Sequence, residues 1–501
     1  MTARRARRFL APGFAAAALV LAASCAKKAP PRGIRVAVHS DPLSLDPHEF
    51  NEVLTFSLLA NVYEGLTGFN KEIGLVPALA ESWENPDERT WLFRLRPGAR
   101  FHDGRPVEAA DVVFTVERAR TNPRSQLSSY LVQVESVRAL GPHTVEIRTK
   151  RPCAVLLNKL ASIFVVPRDS PFPVTQPIGS GPFRVASFEK GRRLLLTKFE
   201  KHRDAASASA IPSLEFLTVP DAAKRTNLLL SGEVDIAQDP DPKKLAELKA
   251  AACCRVALRP AATVEFLHMK VGDPRFRDRR VREAIDLAVD RRLLIERSLD
   301  GLGQPASQLV PPGVFGFDPS LKATERDLVK AKRLLAEAGV PNGFAVTLVH
   351  RLGRRGEELA RQLGEAGIRA IDSGESYAEV SEKLKRVAVP FYFGGVVAVT
   401  ADASDVLDSF VHTRTAGYGQ TNANGYSNPT LDALIEESGA RLEQAGRRTL
   451  LQRCLRMAAE DLWILPLDIP YDTYGVKKDV VFEPRLDRRL LGSEMGWKKS
   501  D

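Results

Sequence analysis

Cysteine is scarce in this 501-residue sequence: there are five, Cys25, Cys153, Cys253, Cys254 and Cys454, and no two form a Cys-x-x-Cys pair. A cysteine-based zinc site of ordinary spacing is therefore excluded. The eight histidines are scattered singly, and no His-Glu-x-x-His, Gly-x-Ser-x-Gly or phosphate-loop motif occurs, so metalloprotease, serine-hydrolase and nucleotide-hydrolysing chemistry have no carrier. Gly301-Leu302-Gly303-Gln304-Pro305-Ala306 imitates a dinucleotide turn. It follows a helical pattern and places Pro305 where a helix would have to propagate, which rejects that reading. The expectation is a protein that is not an enzyme and carries neither cofactor nor resident metal. Also missing are low-complexity tracts, long Pro/Ser linkers and repeats of fixed period. Of the net charge of +10, four units belong to Arg4, Arg5, Arg7 and Arg8, leaving +6 interspersed with acids; a nucleic-acid partner has no basic stripe to bind.

The first thirty residues stand apart. The four arginines precede an apolar run, Phe9–Ala23, shorter than the roughly twenty residues that a spanning helix needs. This pattern reads as a signal peptide over residues 1–24. It ends in Leu21-Ala22-Ala23-Ser24-Cys25, which resembles sites where the cysteine is lipidated and becomes the mature N-terminus. The expected location is the periplasm or cell surface, with a lipid anchor at Cys25. Disulfides persist in such a compartment, and the Cys253-Cys254 pair reads as one bridging cysteine beside a buried neighbour.

Beyond the leader the chain is too long for one hydrophobic core, and helical and strand signals alternate, which indicates α/β architecture. Val281, Ile285, Ala288, Val289 and Leu293 recur at helical spacing, predicting one amphipathic helix over 279–299. Leu328 to Ala338 gives another, preceded by the cap-like Thr324-x-x-Asp327 and stopped by Gly339 and Pro341. A third covers Leu451 to Leu462. Phe344 to Val349 and Phe391 to Val399 are β-rich and uncharged, as in strands buried on both faces.

A series of motifs then carries a resemblance: Ser44-Leu45-Asp46-Pro47-His48, Asn61-Val62-Tyr63-Glu64-Gly65-Leu66, Thr90 to Gly98, Phe101-His102-Asp103-Gly104, Gly179-Ser180-Gly181-Pro182-Phe183, Ser231 to Asp235, and Phe276 to Ile285 with Asp290-Arg291. Together they make the chain similar to the solute-binding proteins of peptide and nickel importers, family 5. Most of these residues read as structural: Gly98 and Gly104 suit turns that need positive φ, and His102 reads as a hydrogen-bonded turn residue. The resemblance implies an α/β fold of the class II-like (cluster C) periplasmic-binding type, with two hinged lobes built from discontinuous segments. The segments expected are 33–68, 178–265 and 470–501 for the core of lobe I, 69–177 for an extra subdomain, and 266–469 for lobe II.

The resemblance also implies a peptide or peptide-like ligand between the lobes, held like an added β-strand, and delivery to an ABC permease and ATPase by a monomer. The ligand's amino group would pair with Asp402, and Asp405 takes the second acidic position; as a purely local reading, Asp405 could instead cap a helix over Leu407 to Phe410. Ala398, Val399 and Thr400 would supply one pairing edge, and Asn51, Glu52 and Val53 the other. Asn424 and Tyr426, in the matching stretch Asn424 to Asp432, complete the set. Val399 and Val406 stand where the family has tryptophan and proline. The alternatives carried beside the peptide reading are a nickel chelate or other small solute, and a surface signalling receptor that reuses the fold.

Overall fold

In the computed structural model, which describes residues 32–204, 211–350, 353–373 and 375–498, the strand Ile464–Lys477 runs through both halves of a twelve-stranded mixed sheet. Its first residues pair antiparallel with Thr263–Met269; its last pair with Cys254–Pro260 and Ile236–Gln238. On the latter side Ile34–Val38 lies parallel to Ser213–Thr218 and to Ile236–Gln238, and the hairpin Phe183–Glu189/Arg193–Lys198 completes the edge. On the other side Phe391–Val397 pairs with Thr263–Met269 and adjoins Phe344–His350, itself parallel to Ile368–Asp372. A separate antiparallel sheet contains Ala80–Asp87, Thr90–Leu95, Thr144–Thr149 and Val134–Ala139, packed beneath the helix Ala109–Thr121. The α/β class expected from the sequence is the one observed. The leader and Cys25 lie outside the described residues.

Distinct apolar cores sit in these layers. Phe183, Phe216 and Tyr474 are buried around the N-terminal strand, Phe93, Phe101 and Ile147 under the four-stranded sheet, and Phe276, Phe391 and Phe393 in the half formed by the later strands. Burying such side chains contributes roughly 1.5–3 kcal/mol each.

Three local expectations need correction. The helix expected over 279–299 is two helices, Arg279–Ala288 and Arg291–Leu299. Val289 is extended, the Asp290 carboxylate accepts from Leu293 N at 2.9 Å, and Asp290 N donates to Gln362 Oε1 at 2.7 Å. A side chain 72 residues away thus supports a cap that apolar periodicity alone cannot register. The four cysteines of the described residues are free thiols, three of them buried, so the bridge expected at Cys253-Cys254 is not formed. Asp327 caps Leu328–Glu337, whereas Thr324 bonds Asp286.

The motifs explain themselves as packing. Asp46 and His48 are fully buried against Arg118 on the helix Ala109–Thr121. His48 Nε2 donates to Phe164 O at 2.9 Å, so Nδ1 can accept from the Arg118 guanidinium at 2.7 Å. His102 ties its own motif to the one at Gly179–Phe183, accepting from Gly179 N at 3.2 Å and donating to Gly181 O at 3.0 Å. Gly98 and Gly104 have φ of +81° and +92°. At Gly179 the reason for glycine is space, because a Cβ there would overlap the Val62 carbonyl. Gly179→Ala is expected to lower stability by about 1–3 kcal/mol, read from the denaturant midpoint; an unchanged midpoint contradicts the close-approach argument.

Candidate functional site

The helix Val53–Leu59 begins where the Glu52 carboxylate accepts from Leu54 N at 2.8 Å and Thr55 N at 2.7 Å. Capping engages the Glu52 carboxylate, while Asn51 and Val53 on either side of it line a cavity of about 320 Å3. Ala398, Val399 and Ala401 form the facing wall just beyond the strand Phe391–Val397, which ends two residues before the expected Val399. Ala398 N donates to Ala262 O at 3.0 Å, and Ala401 takes φ +61°, turning the chain into the short helix Ala403–Val406. Phe56 and Phe69 supply apolar walls, and Tyr130 and the loop Leu486–Arg489 close the remaining side.

Two further cavities adjoin this region. One of about 640 Å3 shares Ile73 and Ala401 with the first and is lined by Asp402, Phe315, Arg447 and Arg448. The other, about 330 Å3, contains Asp405, Asp408, Lys159 and Tyr418.

The residues singled out in the sequence are thus distributed unequally. Asn51, Val53, Ala398 and Val399 meet across one cavity. Asp402 faces the neighbouring one, where both its oxygens are held by Arg447 at 2.6 and 2.7 Å and where it caps the helix Ala403–Val406; Asp405 lies inside that helix and does not cap the turn Leu407–Val411 that follows. Asp405 lines the third cavity. Thr400 is buried and its carbonyl accepts from Asn158 Nδ2 at 2.9 Å. Asn424 accepts from Tyr426 N at 2.9 Å, and Tyr426 stacks on Trp463 with ring centroids 4.4 Å apart; neither lines these three cavities.

Sequence reasoning missed the charged side of the first cavity. Asp487, Arg488 and Arg489 lie in a loop without helical or strand periodicity, and the only signal was the cluster Arg485-Leu486-Asp487-Arg488-Arg489. Among the described residues, no group of three or more His, Cys, Asp or Glu is placed to hold a metal. No helix among them is long and apolar enough to cross a membrane.

Burial pushes the carboxyls of Asp408 and Asp468 up to about 7 and that of Asp405 up to about 6. It pulls the imidazoles of His48, His102 and His268 down to about 4. A raised carboxyl holds its proton more tightly in the folded state, so the three acids add stability as pH falls through 7 and 6. A lowered imidazole contributes stability that is present above its ordinary 6.5 and lost as pH falls toward 4. The loss at the imidazoles sets in below about 6.5 and offsets the continuing gain at the acids, so stability is expected to rise from about pH 8 to about pH 6.5 and to change little from there to about pH 5. Urea midpoints across that range test this, and a midpoint that drops between pH 8 and 6.5 contradicts it.

Comparison with known proteins places this geometry in context. The family model for bacterial extracellular solute-binding proteins, family 5 Middle, matches residues 74–418. The glutathione-binding protein GsiB of Pectobacterium atrosepticum is 30% identical over 439 residues, which cover 83% of this chain and 84% of that protein. Among solved structures, HbpA2 from Haemophilus parasuis is similar with a TM-score of 0.83 at 22% identity, covering 93% of this chain and all of that one. The periplasmic binding protein DppA from Helicobacter pylori, in complex with the peptide STSA, gives 0.76 at 22% identity, with 94% and 99% covered. The match of the family model to more than half of the chain, and of the whole fold to two-lobed relatives, means that this chain belongs to the family 5 bacterial extracellular solute-binding proteins.

Proposed function

We propose that the protein captures a short peptide or peptide-like solute in the 320 Å3 cavity and hands it to the permease and ATPase of an ABC-type importer. The observation that carries this reading is the composition of the cavity wall. Asn51 and Val53 sit at the start of a helix packed into the core around Ile34–Val38, and Ala398 and Val399 follow directly on the strand Phe391–Val397 in the other half of the sheet. A solute touching both halves favours their closed arrangement over the open one by its differential contacts, and the closed form is what a permease can recognise. No bond is broken in this cycle. The lobe ranges given from the sequence are kept as part of this reading, supported by the separate apolar cores.

Export and anchoring belong to the same reading, supported by the basic-apolar leader ending at Cys25: a monomer tethered by lipid at the membrane surface, in the periplasm or at the cell surface. The intact mass of the mature N-terminus tests this, since acyl chains on Cys25 add a fixed increment. The solute itself is tested by native mass spectrometry of the purified protein, followed by denaturation and identification of what is released. A ladder of short peptides is expected; protein that is reproducibly empty and that no peptide stabilises sinks the reading.

A further inference from the structure

We propose that the cavity grips its solute through a carboxylate, with Arg489 as the receiving cation, and that it offers no seat for an ammonium. This deepens the solute-receptor reading and rests on it. Three charged side chains line the cavity: Asp487, Arg488 and Arg489. Asp487 is engaged, because its two oxygens accept from Arg485 Nε and Nη2, each at 2.8 Å, and Oδ1 also accepts from Arg489 N at 3.1 Å. Arg488 is engaged as well, donating to both Asp239 oxygens at 2.9 and 3.0 Å and lying 3.0 Å from Asp472.

Arg489 differs from both. Its guanidinium has one carboxylate nearby, Asp487 Oδ2 at 3.5 Å from Nε, an oxygen already accepting from Arg485, and it donates no hydrogen bond among the described residues. Its side chain is only 12% exposed, held near the rings of Phe69 and Phe164 with centroids 5.9 and 5.8 Å away. Burial pulls its pKa down from the ordinary value. A largely buried guanidinium whose donors are left to water gains when a carboxylate arrives, because a carboxylate matches its planar fork with two parallel hydrogen bonds.

The opposite polarity is closed off. A desolvated ammonium needs a carboxylate that is not already paired. Asp487 is shared between two arginines, and Asp402, the position that the resemblance assigns to the ammonium, is locked to Arg447 and opens on the adjoining cavity. The pairing of Asp402 with Arg447 and the open donors of Arg489 are independent features, and both point to an acid.

The test titrates the purified protein with N-acetylated di-, tri- and tetra-alanine acids, which have a carboxylate and no ammonium, and with the same peptides as free-amine amides, which have the reverse. The acids are expected to bind about 10- to 100-fold more tightly, the range for a charge-assisted hydrogen bond. Arg489→Gln should erase that preference, and Arg489→Lys should keep part of it, since the charge remains without the fork. A melting temperature close to wild type is expected for both variants, because the guanidinium donates no hydrogen bond within the described protein. The acid-against-amide contrast in the unmodified protein stands even if a variant misfolds. Amides that bind as well as acids, or acid binding that Arg489→Gln leaves within about twofold, overturn the proposal. If neither panel binds, the proposal falls too: a co-purifying solute without a carboxylate then leaves the receptor reading standing, and an empty protein takes both down.

Discussion

Asp402→Ala is expected to remove about 3–5 kcal/mol of folding stability, the range for breaking a buried ion pair from one side, while leaving solute affinity nearly unchanged. Asp402 is 2% exposed and its partner Arg447 4%, so truncation leaves an almost wholly buried guanidinium without its carboxylate. The pair also anchors structure. Arg447 Nε donates to Ser438 O at 3.0 Å, at the end of the helix Pro429–Ala440, while Asp402 Oδ1 accepts from Ser404 N at 2.9 Å to start the next helix. Against the roughly 5–15 kcal/mol that holds a folded domain together, such a loss is visible as a large fall in the guanidinium midpoint. The double variant Asp402→Leu with Arg447→Met should recover most of it, because replacing both charges by apolar groups leaves neither stranded. An unchanged midpoint together with a tenfold loss of peptide affinity would instead assign Asp402 to the solute's amino group.

What the sequence made legible divides along a physical line. Glycines that exist for space or positive φ, such as Gly98 and Gly104, announce themselves locally, and so do the apolar stripes of Leu328–Glu337 and Gln444–Glu460. Asn51, Val53, Ala398 and Val399 reached one cavity from positions far apart in sequence, through the resemblance and not through any local pattern. Partners distant along the chain stayed hidden. Asp402 looks like a free loop acid until Arg447, 45 residues on, is seen to occupy it. The break at Val289 depends on Gln362 in the same way. The passage of Ile464–Lys477 through both halves of the sheet is likewise a property of topology, since each of its segments alone resembles an ordinary short strand. Arg489 was present only as charge in a loop, and solvated arginine is the commonplace reading of such a residue.

Val399→Asp should do the reverse of Asp402→Ala, sparing the fold and abolishing capture of an acidic solute. Val399 is 40% exposed in the cavity wall, so a polar side chain there costs little, within the roughly 0.5 kcal/mol usual for exposed positions. Binding is another matter, because closing solute into the cavity removes the new carboxylate from water. It then either lies unpaired beside the solute's own carboxylate or competes for Arg489, and like charges brought together in a desolvated contact cost several kcal/mol. Affinity for an acetylated peptide acid is therefore expected to fall by about 100-fold or more, measured by calorimetric titration beside Val399→Leu, which keeps the wall apolar and should stay near wild type. Free-amine amides supply the second half of the argument. The variant contains the unpaired carboxylate that the natural cavity lacks, so their affinity should rise while that of the acids falls. A variant that loses both classes equally would show that Val399 acts through shape alone, and one that loses neither would remove it from the solute's surroundings.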